Sequence, residues 1–131
     1  MATKYESAKL ILELYDLRRE SKLREARDWW FMFKPKTMDD INAAYKSPDS
    51  AKFRMVMGYW DMALALVNHG AIDETMFNDT NGEFWLMFAK MQQFLPEIRK
   101  TQSYVLVNTE KFIMKQTDAQ KKLDHYRAAF G

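Results

Sequence analysis

Residues 49–68, "DSAKFRMVMGYWDMALALVN", constrain the fold of this chain more than any other stretch. On a helical wheel Phe53, Val56, Met57, Trp60, Leu64 and Val67 form one apolar stripe, and Met55, Tyr59, Met62 and Leu66 form another. A helix that is apolar around most of its axis has to be surrounded by other elements, so this segment predicts the central helix of a helical domain. The remaining line, Arg54, Gly58, Asp61, Ala65 and Asn68, is spaced 4, 3, 4 and 3. Either it faces water, or its small residues let another helix approach closely.

Helix boundaries recur on both sides. Thr3 and Glu6 have the spacing of a capping box, and no Gly or Pro follows before Pro35. A first helix of about 28 residues, ~42 Å long, is the expectation. Pro35 breaks it, and Thr37 with Asp40 caps a short helix to about Lys46. Ser47 and Pro48 open the central helix, which "NHG" at 68–70 closes, with Gly70 free to take the left-handed backbone. Residues 71–82 read as a connector with one short turn. Thr80 with Glu83 reads as a further capping box, opening a helix that Pro96 bends or ends.

"YVLVN" at 104–108 resembles a strand but has no partner, and it reads as the approach to a last helix. There Val105, Thr109, Phe112, Gln116, Ala119, Leu123, Tyr126 and Phe130 keep a 4-3 alternation along one seam. These signals predict an all-α fold in one domain over residues 1–131. It is a bundle of four to five helices, with the long N- and C-terminal helices packed together within one chain or across a dimer.

Composition removes several function classes. Cysteine is absent, so thiol catalysis, thiolate metal sites and disulfides are excluded, and His69 and His125 stand 56 positions apart. No Glu-x-x-His or His-x-x-x-His spacing occurs, which argues against a metal site in the bundle core. Glycine-rich phosphate loops and nucleophile elbows are missing too, so no catalytic residue, cofactor or metal is expected. Glu6 and Glu13 interrupt any secretory signal, and "WWFMF", "MALALV" and "FWLMFA" are too short to cross a membrane. A soluble, cytoplasmic protein is the expectation.

The net charge of +2 hides a pattern. Lys and Arg outnumber Asp and Glu by nine to six over residues 1–37 and by seven to four over 97–131, whereas 38–96 reverse this at four to eight. Such asymmetry can steer partners or favour head-to-tail association, but basic ends packed beside an acidic middle are the expectation. Arg18, Arg19, Lys22, Arg24 and Arg27 form a basic cluster, but Asp16, Glu20, Glu25 and Asp28 are interleaved with it. Glu20–Arg24 and Arg24–Asp28 have the spacing of helix-surface ion pairs, so a solvated face is expected there and not a nucleic-acid site.

Four residues stand out as candidates for contact with a partner or ligand: Trp29, Phe33, Arg19 and Asp61. Along the first helix Ala8, Leu12, Tyr15, Leu23, Ala26, Trp30 and Phe33 fall on one side, with Arg19 interrupting. Trp29 stands about 100° from Trp30, so Trp30 is expected in the core and Trp29 nearer the surface. Asp61 is a charge on an apolar helix, which has to be paired, hydrated or neutralised.

"DLRRESKLREARDWWFMF" and, later, "GEFWLMFAKMQQFLPEIRK" resemble an uncharacterised bacterial family of small helical domains of unknown function. The resemblance implies an all-α fold and transfers no catalytic residue. It also implies that some relatives carry a membrane anchor before the domain. The function expected is a non-catalytic interaction or structural module, a homodimer or the partner of another protein. The alternative is a domain that binds a small apolar or lipid-like ligand in a pocket lined by Trp, Phe and Met.

Overall fold

A computed structural model describes residues 2–131, and every described element is helix or turn. Among these residues there are eight helices of seven residues or more and one single-turn helix, where four or five were expected. The surplus arises where helices are broken by side chains and backbone turns instead of by proline.

The N-terminal segment shows how. Thr3 and Glu6 form the predicted capping box of α1 (Lys4–Arg18). The chain then stops and restarts as α2 (Ser21–Met32), although no Gly or Pro intervenes. Glu20 causes the restart: its carboxylate accepts the amides of Lys22 and Leu23 at 3.0 and 2.9 Å, which makes it the N-cap of a new helix and not the ion-pair partner of Arg24. Those two donors hold the Glu20 carboxyl below its usual range.

Thr37 and Asp40 cap α3 (Met38–Lys46) as predicted. The central helix, α4 (Ser50–Asn68), ends at Gly70 with φ 84°. Its first stripe is buried throughout, from Phe53 to Val67. The second stripe is not: Tyr59 is covered, but Met55, Met62 and Leu66 remain exposed, so α4 is central without being enclosed.

Residues 71–82 hold more than a turn. Asp73 accepts the amide of Met76 at 2.9 Å and caps α5 (Glu74–Thr80), which buries Phe77. The Thr80–Glu83 box does not form. The Thr80 hydroxyl bonds back to the carbonyls of Met76 and Phe77 within α5, and α6 (Glu83–Met91) starts from Gly82 with no side-chain cap. A 3-10 turn then leads into the single-turn α7 (Leu95–Ile98), with Pro96 in its first turn.

The last helix is likewise two, α8 (Val107–Met114) and α9 (Ala119–Phe130). Leu106 and Asp118 both take left-handed backbone, at φ 54° and 55°, and each precedes a fresh helix start. The predicted seam survives the break, because Val105, Thr109, Phe112, Ala119 and Leu123 are all buried, Gln116 and Tyr126 are half-buried and only Phe130 is exposed.

α2, α3 and α8 pack on α4, and α9 packs on α6. α1 lies on α5 and runs antiparallel beside α4, with the Ala2 amide on the Gly70 carbonyl and the Tyr59 hydroxyl donating to the Leu14 carbonyl. The two chain ends therefore do not form one long helix pair. Once each is broken, its halves find separate partners. The basic ends do meet the acidic middle, through the ion pairs Lys4–Asp73, Arg27–Glu83 and Lys115–Glu74.

Candidate functional site

α6 carries the most apolar run near the C-terminal half, yet it brings two charges inward. Glu83 and Lys90 stand two turns apart, and both reach α2. The Glu83 carboxylate accepts from the Arg27 guanidinium at 2.9–3.1 Å and from Trp60 Nε1 at 3.1 Å. The Glu83 hydrogen bond, ahead of the cost of burial, raises the Arg27 guanidinium further above its ordinary value.

Lys90 is only 3% exposed and has no carboxylate partner. Its ammonium donates to the carbonyls of Trp30, Phe31 and Phe33 at 2.8, 3.2 and 2.7 Å. The Phe31 and Phe33 carbonyls stand at the end of α2, the Trp30 carbonyl is shared with the Phe33 amide at 3.2 Å, and a cation is favoured at that pole of a helix. Burial first, then nearby Lys34 and Lys36, pulls the amine down to about 8. Between Glu83 and Lys90 the cleft holds about 40 Å³, room for about three waters. Neither residue announces itself in the sequence, apart from the oddity of a lysine inside "FWLMFAKM".

The predicted division of the two tryptophans holds. Trp30 is buried, stacked on Phe53 at 5.5 Å, and its Nε1 donates to the Phe53 carbonyl at 3.1 Å. Trp29 is half-buried and stacks on Phe33, with centroids 4.6 Å apart. Beside this stack an open groove runs along Ala43 and Ala44 of α3.

Arg19 is exposed at the C-cap of α1, 3.7 Å from Asp16. Asp61 is half-buried on the face of α4 that meets α8. Its Oδ1 accepts the Thr109 amide and hydroxyl, both at 2.8 Å, and its Oδ2 accepts from the Asn108 side chain at 3.1 Å. Leu106, the residue that precedes α8, has no side-chain oxygen, so Asp61 caps α8 from a neighbouring helix. Trp29 and Phe33 are thus brought together, while Arg19 and Asp61 lie in separate settings.

A family model described as a domain of unknown function, DUF4760, matches residues 5–127. The chain belongs to the DUF4760 family. No curated protein and no solved structure matches it. Among the described residues of this DUF4760 chain, no helix is long and apolar enough to cross a membrane, and no three His, Cys, Asp or Glu side chains gather as a metal site requires.

The DUF4760 match begins on α1, where the structure departs from the expected seam. The buried residues of α1 are Ser7, Ile11 and Leu14. Its roll is set by polar contacts: the Asp73 amide donates to Ser7 Oγ at 2.9 Å, Arg18 donates to Asn81 Oδ1 at 2.6 Å, and Tyr59 donates to the Leu14 carbonyl. Tyr5, Leu12 and Tyr15 are left 78%, 67% and 53% exposed, with Ala8 between them. Residues 5, 8, 12 and 15 keep the 3-4-3 spacing of a helix seam, and its three large members are left exposed by the described residues.

Proposed function

We propose that this chain is a non-catalytic helical interaction module, and that the outer face of α1 is its contact surface, covered by α1 of a second copy. The observation that carries the reading is the exposed 3-4-3 line itself. Scattered surface apolar residues are ordinary, but a periodic line of large ones has the pattern of a helix–helix contact. Lys4, Glu6, Lys9, Glu13 and Asp16 surround the line with both signs of charge, as the polar rim of an interface does.

The non-catalytic part is supported by what the inward-facing charges do. Glu83 holds Arg27 and Trp60, Lys90 holds the end of α2, and Asp61 holds the start of α8. Each stabilises a helix junction. A pocket lined by Trp and Phe receives less support, since the spaces beside "WWFMF" are either a few waters in size or wide open.

Sedimentation equilibrium across protein concentration tests the proposal. The wild type is expected to gain mass with concentration, and Leu12→Glu is expected to stay monomeric with its helical content unchanged. A wild type that is monomeric throughout removes the second copy from the proposal.

A further inference from the structure

A groove on another face of the molecule points to a ligand. We propose that the space between α4 and the turn at 102–106 binds a small arylalkyl ammonium, with its ammonium on Asp61 and its apolar body between Tyr45 and Tyr104. The proposal does not depend on assembly through α1.

Size is the first argument. The groove offers about 180 Å³, comparable with the ~150 Å³ cavity that is known to accept a benzene ring. Met57, Val105 and Leu106 supply apolar wall, and Gly58 of α4 lines the same space.

The backbone supplies the second. Glycine in the interior of a helix is disfavoured relative to alanine, and Gly58 has ordinary helical backbone. A Cβ built on it meets nothing within 4 Å, so no neighbouring element requires the glycine for close packing. What its missing side chain leaves is open space in the groove. Across that space Leu106, 2% exposed, is held in the left-handed region at φ 54°, a costly conformation for leucine.

Charge supplies the third, and it selects the ligand. An ionised carboxylate offers about four acceptor sites, and Asp61 uses three: two on Oδ1 and one on Oδ2. One acceptor site on Oδ2 is left in a residue that lines the groove. Tyr45 and Tyr104 line the groove as aromatic wall for the body of the guest, and Tyr104 is exposed enough to swing over it. Arg54 also lines the groove, two turns before Asp61 on α4; its Nε donates to Ser50 Oγ at 3.3 Å, and its charge acts on the Tyr45 hydroxyl, at the end of the groove that takes the apolar body. A carboxylate with a free acceptor site, aromatic faces and an apolar wall form a recognition set for an organic amine and not for a neutral molecule of the same shape.

The test uses 2-phenylethylamine as the probe and 2-phenylethanol as its neutral counterpart, each titrated into isotopically labelled protein at neutral pH. The amine is expected to shift the amide resonances of Gly58, Gln102, Val105 and Leu106 in a saturable manner, while the alcohol leaves them in place. Gly58→Leu, which favours helix and grows into the groove, is expected to abolish the response. Asp61→Asn is expected to weaken it by about tenfold or more, the loss that accompanies one charge-assisted hydrogen bond. Because Asp61 also caps α8, Gly58→Leu decides the matter if Asp61→Asn loses structure. An equal response to amine and alcohol, a Gly58→Leu response like that of the wild type, or no shift at these amides overturns the proposal.

Discussion

α1 and α2 come from one stretch of chain without Gly or Pro, and both carry an apolar line at helical spacing, yet the protein treats the two lines in opposite ways. On α2, Leu23, Ala26 and Trp30 are buried against the core, and Lys90 closes the helix end. On α1, Leu12 and Tyr15 stand in water while Ser7, a polar residue, is fully buried. Periodicity identifies a face. Which face turns inward depends on anchors elsewhere, here the Asp73 amide and the Tyr59 hydroxyl, which offer hydrogen bonds only to the Ser7–Leu14 side.

The sharpest test of this contrast is one truncation on each helix. Trp30→Ala is expected to lower stability by about 3–5 kcal/mol, as other core aromatic truncations do, and Leu12→Ala to change it by no more than about 0.5 kcal/mol in the monomer. Chemical denaturation at low protein concentration measures both. Comparable losses would mean that α1 is as well covered as α2. Trp29→Ala, half-buried on the same turn as Trp30, is expected to fall between the two.

Lys90 gives the next largest effect. Lys90→Met preserves volume but takes a donor from three carbonyls at the end of α2, of which that of Trp30 keeps the Phe33 amide, so a loss of about 1–3 kcal/mol is expected at neutral pH. The pH dependence sharpens the assignment. The folded amine titrates at about 8 against an ordinary 10.5, so between those values the unfolded chain binds more protons than the folded one. Stability of the wild type relative to Lys90→Met should therefore rise as pH increases from 8 toward 10, by less than the ~1.4 kcal/mol per pH unit that one proton allows. A difference that is flat over that range would mean that the amine keeps its ordinary value and is not desolvated.

The smallest effect belongs to the junction between the two helices. Glu20 caps α2 through two amides, and its carboxyl sits below its ordinary 4.5. The capping contribution is complete above that ordinary value and is lost as acid takes the pH down through the lowered one. Glu20→Gln should show a shallower acid limb in a stability-against-pH curve. Identical limbs would show that the break after Arg18 has another cause.

Much of the molecule was legible from local chemistry. Capping boxes at Thr3 and Thr37 need only residues three apart, so "TKYE" and "TMDD" identify them without reference to the fold. The buried stripe of α4 follows from helical geometry alone, as do the buried positions within each of α8 and α9, Thr109 and Phe112 in one and Ala119 and Leu123 in the other. Trp30 as the inner member of the pair follows from its spacing to Leu23 and Ala26.

Only tertiary structure decided the rest, because the deciding partner in each case is remote in sequence. Glu83 has the spacing to complete a box with Thr80, but it answers instead to Arg27 and Trp60, 56 and 23 positions away. Lys90 finds its acceptors 57 to 60 positions back, and Asp61 caps a helix 48 positions on. A charge in an apolar segment states that it needs a partner; the strong distance and direction dependence of a hydrogen bond means that only the folded chain can say which one. The same dependence turned Ser7 inward and left Tyr5, Leu12 and Tyr15 exposed.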